Sequence, residues 1–403
     1  MKYAVAGLRL AIYIAMLSGA SAFAQTANDE ATVETSTAVA YVYVQVAKGV
    51  NVYSATAAGK LALVKGSPFA DAGQMEGING KYLISVGTDY LHTYPIESNG
   101  AVGKQASKIN TQDYSGSECG VTGNGAFLDH TGEYFYVQLF NDEIANCAAW
   151  QSYQVASNGT LLFLGSFEDE GAEGIGQATP SSLPTVSSND LFTYGIFSGF
   201  DDAVYTTFAA FSRSESGLLG VNQNFKETDP PANPSSPGGG PWFWMPAAPA
   251  ADPAGHLAVL MGTTWFGEIQ NYGPNQLASY TIDNTTGGIA STNTWQDMPI
   301  LDSNNTNISM STTGKLLAVF GQGLQLFHFN GANPITAYSD VLLPKVAIDQ
   351  IGWDKDNHLY ALSYSSGELY VYTATPTSIK EVSGSPYKAE NAYGVNGLIV
   401  VPK

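Results

Sequence analysis

The sequence predicts an all-β fold: a seven-bladed β-propeller of four-stranded antiparallel blades, with the ring closed by the C-terminal strand joining the N-terminal blade. Three observations lead there. Residues 40–70, AYVYVQVAKGVNVYSATAAGKLALVKGSPFA, read as three short strands and a turn, a unit whose apolar face needs neighbours to bury it. Its ending, Gly66-Ser67-Pro68-Phe69, returns as Gly384-Ser385-Pro386-Tyr387, and the 318 residues between the two prolines make six steps of 53, hence seven units. Between them six turn dipeptides each precede an alternating apolar run, the pattern of a hairpin.

Taken from the N-terminus, residues 1–24 carry Lys2 and Arg9, an apolar run and then Ala22-Phe23-Ala24 ahead of Gln25. This is the pattern of a signal peptide with a small-x-small cleavage site, and the run is shorter than the ~20 residues that a membrane span requires. The expectation is export to the periplasm or beyond, with no membrane association. Residues 25–39 (QTANDEATVETSTAV) are polar, Thr-rich and acidic, a composition that buries too little apolar surface to order itself. They are expected to be a disordered leader, with the propeller occupying residues 40–403.

In the first blade YVYVQV (41–46) is rich in aromatic and β-branched residues, which favour strands. Gly49 breaks it from a second strand at 50–54, and Ala58-Gly59 turns the chain into a third at 61–64. The later turns are Asn79-Gly80, Thr131-Gly132, Asn189-Asp190, Ala254-Gly255, Thr313-Gly314 and Asp356-Asn357. Each offers a residue with access to positive φ, and the intervals of 52, 58, 65, 59 and 43 residues say that loops vary while the sheet repeats. The first blade lacks an innermost strand, which residues 394–402 (GVNGLIVVP) are expected to supply.

The stretch 40–70 looks like the bacterial lactonase-like and YVTN-repeat seven-bladed propellers, whose units run through a YLYV-type strand, a VxVY-type strand and an L-x-x-V-x-GSPF ending. The resemblance covers residues 40–403. It implies the propeller fold and, in some members, the opening of sugar lactones by His, Arg and Glu side chains around the mouth of a central channel. This chain departs from that pattern. Beyond residue 24 its one arginine is Arg213, in FSRSES, where a turn after a third strand is expected; no histidine follows a Pro-Arg pair and no Asn-Glu-Leu segment occupies a second strand. Lactone hydrolysis needs an electrophilic partner for the carbonyl or phosphate and a base for water, and the first is nearly absent.

The five histidines are expected to be structural: His130, His256 and His358 as solvated turn residues, His92 and His328 as partly buried residues on third strands. No pair has the close spacing of a zinc site. Acidic clusters at Asp142-Glu143, Glu168-Asp169-Glu170 with Glu173, and Asp201-Asp202 read as solvated loop charge. Loop-bound calcium is the alternative, although none matches a calcium loop; no other cofactor is expected. Cys119 and Cys147 both fall in blade three, and in an exported protein a disulfide between them would stabilise by roughly 3–4 kcal/mol; two separate buried thiols are the alternative.

Without residues 1–24 the chain has 14 Lys and Arg against 35 Asp and Glu, a net charge of −21. That repels phosphate backbones and anionic lipid heads, so neither nucleic acid nor a membrane surface is an expected partner. The most unusual segment is DPPANPSSPGGGPWFWMPAAP, leading into Trp242, Phe243 and Trp244, with Trp265, Phe266 and Tyr272 in the next long loop. These six aromatics are the expected ligand-binding residues, as a platform for a sugar or a peptide; plugging the channel mouth is the alternative. The function expected is an exported, monomeric binding or scaffold protein for a small molecule, carbohydrate or protein, contacting it through loops of blades three to five. The competing reading, carried by the resemblance, is a 6-phosphogluconolactonase-type hydrolase or isomerase.

Overall fold

A computed structural model describes residues 37–69, 74–87, 90–110, 122–141, 147–168, 179–180, 184–201, 203–236, 239–265, 271–301, 305–394 and 396–403. Strands account for all its regular structure. Blade one takes β1 (Ala40–Val46), β2 (Gly49–Ala55) and β3 (Leu61–Leu63); blade two takes β4 (Gln74–Ile78), β5 (Tyr82–Val86), β6 (Tyr90–Pro95) and β7 (Ser107–Asn110). Blade three has β8 (Thr122–Leu128), β9 (Tyr134–Asn141), β10 (Cys147–Val155) and β11 (Leu161–Glu168). Blade four has β12 (Thr179–Pro180), β13 (Thr185–Val186), β14 (Phe192–Asp201), β15 (Ala203–Arg213) and β16 (Leu219–Val221). Blade five comprises β17 (Glu227–Thr228), β18 (Phe243–Ala251), β19 (His256–Trp265), β20 (Asn271–Tyr272), β21 (Asn275–Ile282), β22 (Ile289–Ala290) and β23 (Ile300–Leu301). Blade six comprises β24 (Asn305–Met310), β25 (Leu316–His328), β26 (Thr336–Ala337) and β27 (Leu342–Ala347). Blade seven has β28 (Gln350–Trp353), β29 (His358–Ser363), β30 (Glu368–Thr375), β31 (Ser378–Glu381) and β32 (Tyr387–Lys388), and β33 (Leu398–Pro402) ends the chain.

β33 pairs antiparallel with β1, from Ala40↔Pro402 to Val44↔Leu398, and so completes blade one as the order β3-β2-β1-β33. The ring is therefore closed as the sequence predicts, with the strand itself starting at Leu398, four residues later than the run that suggested it. Four blades depart from four plain strands: β12 and β13 share the innermost position of blade four, β31 and β32 share the outermost position of blade seven, and blades five and six differ more. In blade five the linker from blade four adds β17 parallel to the outer strand β22, and β20 and β23 pair beside the main ladder. In blade six β25 fills two positions: its first half pairs with β24, its last residues pair with β26, and Phe329 N donates to Lys315 O at 2.9 Å. The fold-back runs through Gly321-Gln322-Gly323, where both glycines have positive φ.

The core is seven apolar clusters, one at each blade–blade interface. Alternation along a strand explains them. In β1, Val42 and Val44 pack on Tyr360 and Leu362 of blade seven, while Tyr41 and Tyr43 pack on Met75 and Leu83 of blade two. A strand buried on both faces reads as an unbroken apolar run, which is why YVYVQV is buried throughout, and each such side chain contributes roughly 1.5–3 kcal/mol.

All six second turn residues, Gly80, Gly132, Asp190, Gly255, Gly314 and Asn357, have φ between 58° and 88°. A second repeat lies between blades. The glycine in the turn before an outer strand sits against an aromatic ring of the preceding blade: a Cβ on Gly217 would lie 1.9 Å from Tyr134 Cε1, and one on Gly159 2.5 Å from Tyr82 Cε1. Tyrosines latch the same turns, Tyr43 donating to Gly100 O at 2.9 Å, Tyr136 to Gly217 O at 3.1 Å and Tyr194 to Gly287 O at 2.9 Å. These turns share one face of the ring, so the longer connections between blades open on the other, the loop face.

Candidate functional site

On the turn face the polar groups are committed to structure. Asp129, Asp252 and Asp354 each cap the hairpin that follows: Asp354 Oδ1 accepts from His358 N at 2.9 Å, and its Oδ2 pairs with His358 Nδ1 and accepts from Tyr360 Oη, both at 2.8 Å. Burial would push the Asp354 carboxyl up, but the hydrogen bonds from His358 and Tyr360 outweigh it and hold the group below its ordinary value. His256 Nδ1 is 3.1 Å from Asp252 Oδ2, and His130 Nδ1 is 2.8 Å from Asp190 Oδ1. His130 is exposed, as expected of a turn residue, whereas His358 is buried, 2% exposed, beneath Gly59 of blade one. The expectation of a solvated His358 fails because the neighbouring blade covers its turn. Arg213 donates from Nε to Asp190 O at 2.6 Å, reaches Asp129 Oδ2 at 3.9 Å and lies 5.0 Å from the Tyr134 ring centre. It joins the turns of blades three and four, away from the loop face. His92 and His328 are half-buried on third-strand positions, beside Tyr94 and Tyr338 respectively.

The described aromatics that the sequence groups as one platform are divided between the two faces of blade five. Phe243 pairs with Thr264, which pairs with Tyr272, so these three share one face of the β18-β19-β20 ledge. Trp244 pairs with Thr263 and Trp265 with Asn271, which puts both tryptophans on the opposite face. Consecutive residues of a strand point apart, so Trp242, Phe243 and Trp244 cannot line one surface. Trp244 Nε1 donates to Pro230 O at 2.7 Å and Trp242 Nε1 to Ser235 O at 3.1 Å. These two rings fasten the proline-rich segment along the blade, and Trp242 also packs over Gly273. Phe243 and Tyr272 are 48% and 64% exposed.

Two features were not singled out from the sequence. Glu76, in β4, is 3% exposed, occupies the bulge between Met75 and Gly77, and accepts from Gln74 Nε2 at 2.9 Å and Asn396 Nδ2 at 2.8 Å. Asn396 Nδ2 also reaches Ala126 O at 3.2 Å, joining the innermost strands of blades one, two and three. Burial pushes the Glu76 carboxyl up from 4.5 to about 7 against those hydrogen bonds. The second is an open cavity of about 540 Å³ between blades six and seven on the loop face, lined by Thr306, Asn307, Phe320, Gln322, Ile348 and Asp349 among others. A glutamate between Met75 and Gly77 in QMEGI was the one available signal for the first; the second draws on three stretches far apart in sequence.

Residues 1–24, most of 25–39, Cys119 and Phe266 lie outside the described residues, as do Asp142, Glu143, Asp169, Glu170, Glu173 and Asp202 of the acidic clusters. The backbones of Cys147, Glu168 and Asp201 belong to strands. Among the described residues no group of three or more His, Cys, Asp or Glu could hold a metal ion.

No protein-family model and no curated protein matches the chain. Solved structures do match its fold. A "putative 6-phosphogluconolactonase" from Bacteroides fragilis NCTC 9343 is 10% identical, covering 91% of this chain and 99% of that one with a TM-score of 0.56. A protein from Lactobacillus plantarum is 10% identical over 90% and 99% with a TM-score of 0.58. One from Bacteroides uniformis ATCC 8492, again a "putative 6-phosphogluconolactonase", is 10% identical over 90% and 99% with a TM-score of 0.56. The likeness is one of fold, the seven-bladed β-propeller.

Proposed function

We propose that this protein is an exported binding propeller that takes a neutral carbohydrate chain on the blade-five ledge. The observation that carries the reading is the exposure of Phe243 and Tyr272 on one face of the ledge, two strands apart and so about 10 Å from each other. Rings held at that spacing suit stacking against every second unit of an extended sugar chain, each contributing about 1 kcal/mol. The extended hairpins of blades three to five, with strands of up to 11 residues, support that part of the loop face as the contact surface. Export rests on residues 1–24, and N-terminal sequencing of the secreted protein is expected to begin at Gln25. A disulfide between Cys119 and Cys147 belongs to the same reading; alkylation of the unfolded, unreduced protein is expected to add no mass.

The test is calorimetric titration with soluble neutral oligosaccharides. The double variant Phe243→Ala, Tyr272→Ala is expected to lose at least tenfold in affinity with an unchanged melting temperature. Equal affinity in the two proteins would overturn the ledge. The lactone-opening reading is favoured by the likeness in fold alone; proton release from a panel of sugar lactones, corrected for spontaneous opening, decides it. Saturable acceleration would establish it.

A further inference from the structure

We propose that the cavity between blades six and seven is a second site, independent of the ledge, and that it selects a small ligand bearing an ammonium group. The cavity, about 540 Å³, falls within the range of small-molecule sites. Its walls are set by backbone pairing: Ile348 N donates to Gly321 O at 2.8 Å and Gln322 pairs with Ala347, which fixes the blade-six side of the rim. Thr306 is displaced outward by the bulge between Asn305 and Asn307, and it is exposed at the mouth. Phe320 and Ile348 are buried and supply an apolar floor.

The charge at the site is Asp349. Its backbone N donates to Leu362 O at 2.9 Å, and its Oδ2 accepts from Tyr364 N at 2.7 Å. Tyr364 is held in turn by its hydroxyl, which donates to Gly394 O at 2.6 Å. The carboxylate is thus oriented before any ligand arrives, with its second oxygen available to the cavity it lines. No lysine, arginine or histidine is among the lining residues. A phosphate or carboxylate ligand would meet the negative charge of Asp349, whereas an ammonium group would meet a fixed carboxylate, the Thr306 hydroxyl and the side-chain oxygen of Gln322. The net charge of −19 adds long-range attraction of the same sign.

The experiment compares three related six-carbon sugar derivatives of different charge, glucosamine, glucose and gluconate, by calorimetry at pH 6 and low salt. It is run on the wild-type protein and on the Phe243→Ala, Tyr272→Ala variant, so failure of the ledge leaves this result readable. Glucosamine is expected to bind at least tenfold more tightly than glucose in both proteins, gluconate not to bind, and the preference to shrink as salt is added. Asp349→Asn keeps an oxygen for Tyr364 N and is expected to abolish the preference. Thr306→Lys, at an exposed position that leaves the fold intact, is expected to block glucosamine by placing a competing ammonium at the mouth. Equal binding of glucosamine and glucose, tighter binding of gluconate, a preference that survives both variants, or no binding of any of the three at millimolar concentration would each overturn the proposal.

Discussion

Glu76→Gln is expected to make the protein more stable at neutral pH and not at acid pH. Burial raises the folded-state pKa of Glu76 from 4.5 to about 7, so between those values the folded chain holds a proton that the unfolded chain has released. Stability from this group therefore falls as pH rises through that window, and above pH 7 the whole difference is lost. The gap is about 2.5 pH units, or roughly 3 kcal/mol at 1.36 kcal/mol per unit, with little discount for solvent at a group 3% exposed. Glutamine removes the ionisation. Asn396 keeps an oxygen to donate to, and Gln74 can turn its own amide to accept from the new one. For a domain of this length about 3 kcal/mol corresponds to a rise of about 4 °C in melting temperature. Thermal and urea melts of both proteins at pH 4.5, 6 and 8 read the effect. The variant should lead by about 3 kcal/mol at pH 8 and by nothing at pH 4.5. A difference independent of pH, or a variant less stable at pH 8 than the wild type, would refute the assignment of a buried carboxylate whose hydrogen bonds do not offset its desolvation.

Arg213→Ala should cost roughly 2–3 kcal/mol in urea unfolding, because it removes a charged hydrogen bond and the cover over Tyr134 together, while oligosaccharide affinity stays unchanged; a loss of affinity without loss of stability would place Arg213 in a site instead. Gly217→Ala forces a left-handed residue to carry a side chain where Tyr134 already stands, and should destabilise by roughly 2–4 kcal/mol; a neutral result would mean that the turn and ring do not meet. Deleting residues 398–403 removes the strand paired with β1 and should lower the melting temperature steeply, whereas deleting residues 25–36 should not. Equal melting temperatures for the two truncations would contradict closure of the ring by β33.

The turns were legible because each depends on residues adjacent in sequence, and blade count and closure because they follow from repetition along the chain and from the strand that the first blade lacks. A glycine or asparagine that must take positive φ sits next to the run it introduces, and a strand buried on both faces announces itself as YVYVQV or HLYALS. What involves a neighbouring blade was not. His358 resembles His130 in sequence, yet a turn of blade one covers the first and the second stays exposed. Glu76 depends on Asn396, which is 320 residues away, and the local segment QMEGI gives no sign of that partner. The aromatic cluster occupies the middle ground. Its concentration in blade five could be read directly, and so could its division, since alternation alone sends Trp242 and Trp244 one way and Phe243 the other. The same alternation sorts their roles: the two indoles hold the proline-rich segment through Pro230 and Ser235, and in the proposed binding role this anchoring would spare the ledge the cost of ordering when Phe243 and Tyr272 met a ligand.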